Sequence, residues 1–279
     1  MIKDVLVPIT DTDGDADTVA CATAICADFD AHLTLLAFVN LPVPIAEPWG
    51  GGELAMGDLY DTFRTEARKQ AQTWKDRLAH DAAGIATDVR LVDSFSFDAP
   101  AQAALHARCA DVALLPMVRD PARDGATLRA FFSSLLLASG RPILLVPGGR
   151  AWRRPRRVVV AWQPRREATR ALHDAMMFLA PQTAIALVQV GADADGDEPD
   201  AGQDVAAHLA RHGMDVQVVC VPPRGDSVAG ALLAHAQAID ADLIVAGGYG
   251  HSRFREWVMG GVTAELIATA GHIPILFSH

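Results

Sequence analysis

The chain is short of aromatic residues, has no closely paired cysteines and carries no long apolar run, and each shortage removes a class of protein. Aromatic side chains make up 6% of the 279 residues while hydrophobic residues reach 51%. That balance suits alanine-rich helices packed on buried parallel strands better than an aromatic-filled sandwich. Cys21, Cys26, Cys109 and Cys220 form neither a C-x-x-C pair nor the framework of a small secreted domain, so reduced and mostly buried thiols are expected. No apolar run of about 18 residues and no leader-like opening is present, which predicts a cytoplasmic protein without a membrane span. Basic residues number 24 against 34 acidic ones, a net charge of -10, and this speaks against a nucleic-acid partner.

Several catalytic patterns are missing as well. There is no G-x4-G-K-[S/T], no G-x-G-x-x-G after a first strand and no G-x-S-x-G, so P-loop hydrolysis, dehydrogenase chemistry and the esterase elbow lose their sequence support. No catalytic residue is assigned. His208 and His212 stand four apart on an expected helix over 204–212, but a neighbouring Glu and a third ligand are wanting, so no metal is expected. His106 and His235 occupy matching helices and are read as architecture.

What the sequence does hold is a repeat. V-L-V-P-I-T at 5–10 and V-V-V-A-W-Q at 158–163 are apolar runs too short for helices and rich in β-branched residues. Each precedes an alanine-rich helical stretch, 18–29 and 165–179, and then a second strand, 32–39 and 184–190. Further on, A-D-V-A-L-L-P answers A-D-L-I-V-A-G, and R-P-I-L-L-V-P answers I-P-I-L-F-S-H. One unit is therefore used twice. The predicted fold class is α/β, with two tandem Rossmann-like doubly wound domains over 1–150 and 151–279, each holding a mostly parallel five-stranded sheet.

The first copy is longer by roughly twenty residues, and these are expected in the Pro/Gly-rich loop at 41–54, as a pocket cap, a cover for a neighbour's surface or a disordered loop. Five arginines between Arg150 and Arg157 read as a solvated connector. Asp98 and Asp226 read as helix N-caps.

Ligands in such sheets collect beyond the carboxyl ends of the strands where strand order reverses. In the second copy that place is taken by G-G-Y-G-H-S-R-F-R-E-W-V-M-G-G-V-T, residues 247–263. Its glycines permit a close approach of backbone to a phosphate, to another helix or simply within a turn. Gly260, Gly261 and Thr263 open the last helix, predicted over 262–270, and a helix start offers free amides to an anion. His251, Ser252 and Arg253 either reach a phosphate or belong to a solvated loop.

The spacing G-x2-G-x9-G over Gly247, Gly250 and Gly260, with V-T-A-E-L-I and I-P-I-L-F after it, resembles the nucleotide-binding segment of the universal stress protein family. Across both copies the chain resembles a tandem member, which implies an intramolecular pseudo-dimer in contact through the strands at 142–147 and 274–278, with a homodimer of such chains left open. The resemblance implies a stress-response protein that binds ATP or a related adenine nucleotide, with or without Mg²⁺, and acts as sensor or scaffold. Carried over by position, Ala161, Trp162, Gln163 and Val190 line the adenosine side. Ala246, Gly247, Tyr249 and Gly250 flank ribose and phosphates, and Gly260, Gly261, Val262 and Thr263 take the outer phosphates.

Two positions depart from that pattern: Gln163 stands where an acidic residue is usual, and Gly261 where Ser or Thr is usual. In the first copy Pro116 and side-chain-bearing residues replace the glycines, so that half is expected to bind no nucleotide and to serve as a structural partner or hold something apolar. A nucleotide-free interaction module and a slow ATPase are the alternative functions.

Overall fold

A computed structural model describes residues 1–41, 52–82, 84–95, 98–191, 201–222, 227–248, 261–269 and 271–279. The first half runs β1 (Asp4–Pro8), α1 (Asp15–Phe29), β2 (His32–Leu41), α2 (Gly52–Asp81), β3 (Thr87–Phe95), α3 (Ala99–Ala107), β4 (Val112–Pro116), α4 (Gly125–Ala138) and β5 (Ile143–Val146). The second half repeats the order with β6 (Arg157–Ala161), α5 (Arg166–Ala175), β7 (Ala184–Val190), α6 (Ala201–Arg211), β8 (Asp215–Val221), α7 (Val228–Ala238), β9 (Leu243–Gly247), α8 (Gly261–Thr269) and β10 (Ile275–Ser278).

The strands form one ten-stranded sheet ordered β3-β2-β1-β4-β5-β10-β9-β6-β7-β8. Within each half all pairings are parallel. The halves meet where β5 and β10 pair antiparallel, with Ile275 opposite Leu145, Leu276 opposite Leu144 and Phe277 opposite Ile143. β4 and β5 are buried along their whole length, as strands covered by helices on both faces must be. Alternate residues feed two apolar layers. Val158, Val160 and Trp162 join α1, α5 and Leu209 of α6 on one face, while Val159 joins α3, α4, α7 and α8 on the other. Phe132 of α4 meets Phe277 of β10 edge to face at 5.3 Å, so one core crosses the junction.

The repeated Ala-Asp has a clear physical role. Asp111 Oδ2 accepts the amides of Lys3 (2.6 Å) and Asp4 (3.0 Å), and Asp242 Oδ2 accepts those of Arg156 (2.9 Å) and Arg157 (3.0 Å). Each carboxylate pins the entry of its half's first strand.

Four expectations need correction. The additional length of the first half lies in α2, thirty residues against eleven in α6, and not in the loop at 41–54, of which 42–51 fall outside the described residues. Ala67, Ala71, Trp74 and Leu78 form the buried or half-buried stripe of this helix, at the three- to four-residue spacing of one helical face. The arginine connector keeps Arg153, Arg154, Arg156 and Arg157 exposed but is also docked on both halves, beyond what a merely solvated connector would be. Arg154 Nε donates to Asp28 Oδ2 (2.6 Å) with its guanidinium 4.4 Å from the centre of the Phe29 ring. Trp152 packs edge-on to Phe178 at 5.8 Å, and Arg150 donates to the His272 carbonyl (2.9 Å) and to Asp242 (3.4 Å). Cys21 and Cys26 are buried free thiols, but Cys109 and Cys220 are exposed. Asp98 occupies the N-cap of α3 without a side-chain bond to the helix amides, accepting instead from Gln102 Nε2 (2.8 Å). Asp226 lies outside the described residues, and Ser227 caps α7 by accepting from the Gly230 amide (2.8 Å).

Candidate functional site

The candidate site begins at the carboxyl ends of β6, β7 and β9. Ala161 is the register partner of both Val188 and Ala246, so these strand ends lie side by side where strand order reverses. Trp162 extends the pairing by donating its amide to the Val188 carbonyl (2.8 Å). Its indole is buried, and Nε1 has no partner among the described residues. Gln163 is exposed, while Ala161, Val190 and Gly247 are half-buried and Ala246 is buried. α8 opens at Gly261, with Val262 exposed and Thr263 buried. Tyr249, Gly250, His251, Ser252, Arg253 and Gly260 lie outside the described residues.

Gly247 and Gly248 have packing reasons of their own. A Cβ on Gly247 would stand 2.7 Å from the Glu167 carbonyl carbon and 2.8 Å from the Ala168 nitrogen, both in the first turn of α5. A Cβ on Gly248 would stand 2.5 Å from Leu136 Cδ2, and the Gly248 amide already donates to the Ser278 carbonyl (2.8 Å). Close approach of helix to strand therefore accounts for both residues without a ligand.

The first half meets the same constraint with the partners exchanged. Buried Asp15, Thr18, Val19 and Ala22 of α1 correspond to Ala168, Ala171, Leu172 and Ala175 of α5, which sets Gly14 opposite Glu167 and, through the Ala-Asp repeat, Pro116 opposite Gly247. A Cβ on Gly14 would lie 2.4 Å from Pro116 Cβ. In one half the helix side of the contact lacks the Cβ, and in the other the strand side lacks it.

Side chains then tie the first-half crevice together. Arg119 pairs with Asp17, which also accepts the Gly149 amide (3.2 Å), and Arg123 pairs with Asp13 at 3.0 Å. These contacts join Asp13 before α1 and Asp17 in its first turn to the segments after β4 and β5. Beneath them Asp15 accepts from Thr10 N (2.9 Å), Thr10 Oγ1 (2.7 Å) and, more weakly, Thr12 N (3.4 Å). Burial pushes the Asp15 carboxyl up to about 6 against the opposing pull of those bonds. The sequence reading singled out none of these groups, because a buried carboxylate and the ion pairs above it follow from the close packing of two turns distant in sequence.

Among the described residues no group of His, Cys, Asp and Glu is placed to hold a metal ion, and no helix is long and apolar enough to cross a membrane. His208 and His212 do not stand alone, since the His173 ring of α5 joins them in a stack.

No family model matches the sequence, and no curated protein matches it. Solved structures do match its fold. A universal stress protein from Archaeoglobus fulgidus is similar over 99% of this chain and 95% of its own, at 17% identity and a TM-score of 0.68. A functionally unknown protein from Pseudomonas aeruginosa is similar over 99% of this chain and 92% of its own, at 15% identity and a TM-score of 0.58. The chain thus has, from end to end, the α/β fold of a universal stress protein. That is the fold the glycine segment and the internal repeat led to.

Proposed function

We propose that the chain is a tandem universal stress protein with domains over 1–150 and 151–279, and that it binds ATP or a related adenine nucleotide in its second half alone. It acts as a cytoplasmic stress-response sensor or scaffold, and no catalytic group is assigned. The observation that carries this reading is the contrast between the two crevices. The first is tied together by the Asp17–Arg119 and Asp13–Arg123 pairs. In the second, the strand ends at Ala161, Ala246 and Gly247 are small, and the buried indole N–H of Trp162 has no partner among the described residues. A buried donor without a partner costs about 1–3 kcal/mol, so an acceptor on a ligand or a water would be favoured there. Tyr249 to Arg253, Gly260, Gly261 and Thr263 complete the site, and Mg²⁺ accompanies the phosphates if they reach it.

A second reading, a nucleotide-free interaction module, draws support from the packing reasons found for Gly247 and Gly248. Thermal unfolding with ATP, ADP and AMP separates the two. A ligand at 100 times its dissociation constant stabilises the native state by about 2.7 kcal/mol. Under the first reading the melting temperature climbs with nucleotide concentration, and Gly260→Asp removes the response. A melting temperature insensitive to all three nucleotides favours the second.

A further inference from the structure

The stack of His173, His208 and His212 joins α5 to α6. The His173 and His208 ring centroids are 5.4 Å apart, and those of His208 and His212 are 4.8 Å apart. His173 Nδ1 donates to the Thr169 carbonyl one turn earlier (2.9 Å), which fixes that nitrogen as the protonated one of the neutral ring. His208 Nε2 is buried with no partner among the described residues, and the next residue, Leu209, is fully buried in the core.

Among the described residues, the charged groups around the stack offer no compensation for a proton on His208. Arg211 at the end of α6, His212 just beyond it and His173 of α5 all disfavour it. On α5, Asp174 is engaged by Arg170 (3.0 Å) and by the Ser278 hydroxyl (2.5 Å). Asp204, one turn before His208 on α6, and Asp215 of β8 are exposed and make no ion pair among the described residues.

We propose that the three histidines form an acid-sensitive latch, holding α6 against α5 while the rings are neutral and releasing it when two of them carry charge. Neutral imidazoles pack edge to face, whereas two imidazolium rings at this separation, with Arg211 beside them, repel. The sign follows from burial. Desolvation first, then His212, His173 and Arg211, hold the His208 ring below the ordinary histidine value of about 6.5. The docked form therefore keeps its full stability above about pH 6.5 and loses it as the pH falls below that value, because the undocked form takes up protons that the docked form refuses. Release would bare Leu209 and loosen the cover over β8.

Hydrogen exchange on the full chain at pH 7.5 and 5.5, corrected for intrinsic rates, tests this. α6 amides should lose about tenfold or more of their protection relative to those of α7, and the variant His173→Gln/His208→Phe/His212→Gln should abolish that loss. An α6-to-α7 ratio that does not move with pH, or one that moves equally in the variant, overturns the proposal. Should the variant not fold, side-chain NMR of the unaltered chain decides. One imidazole titrating well below the other two supports the latch, and three independent titrations near the ordinary value overturn it.

Discussion

Replacing Gly247 with alanine would set a methyl group 2.7 Å from the Glu167 carbonyl carbon, 2.8 Å from the Ala168 nitrogen and 3.0 Å from Glu167 Cβ. The two nearest atoms are backbone in the first turn of α5 and cannot rotate away, so the helix start itself has to move. Overpacking of this kind costs about 1–3 kcal/mol. At roughly 2–4 °C per kcal/mol for a chain of this size, the ligand-free protein should melt about 2–12 °C lower. Gly248→Ala is the internal control. Its new Cβ meets Leu136 Cδ2 at 2.5 Å, the end of a rotatable side chain, so its cost should be the smaller of the two. Adding Glu167→Gly to Gly247→Ala should recover part of the loss, because the contact would then resemble that of Gly14 with Pro116. Urea unfolding followed by circular dichroism, without nucleotide, provides the measurement. An unchanged midpoint for Gly247→Ala, or a larger loss for Gly248→Ala, would refute the packing account and return Gly247 to the ligand.

The carboxyl of Asp15, raised to about 6 from an ordinary 3.8 by burial, contributes stability that is present below about pH 4 and lost as the pH rises through 6. Between pH 5 and 7.5 this group should lower the stability by about 1 kcal/mol, and Asp15→Asn should flatten that part of a melting-temperature profile; an unaltered profile would place the titration elsewhere. Asp111→Ala and Asp242→Ala each release two backbone amides at the entry of a half's first strand, and each should cost about 1–3 kcal/mol in chemical unfolding. Losses near zero would mean that solvent serves those amides equally well. Reversing one charge in each first-half pair, with Arg119→Glu and Arg123→Glu, should open the 117–124 segment to protease without creating a second nucleotide equivalent.

The repeat was legible because both copies spell their strands in short β-branched runs and begin their fourth strands with Ala-Asp, which serves the same bond in each half. The junction of β5 with β10 followed from the family resemblance and not from the repeat alone. The placement of the extra length was misjudged. Pro42, Pro44 and Pro48 drew attention to a loop, although the stretch from Asp58 to Ala82 contains neither Gly nor Pro and repeats Ala67, Ala71, Trp74 and Leu78 at helical spacing. The compensating exchange of glycine between Gly14 and Gly247 could not be read from one sequence. It is a relation between two residues far apart in the chain, and only the approach of helix to strand reveals it. The same holds for the docking of Arg150, Trp152 and Arg154, whose acceptors Asp28 and Asp242 lie on different halves.

Isothermal titration of the full chain with ATP addresses the central claim directly, since it counts sites. One nucleotide per chain, lost in Gly260→Asp and retained in Arg119→Glu/Arg123→Glu, is the predicted result. Two equivalents, or one equivalent that survives Gly260→Asp, would contradict a site confined to the second half.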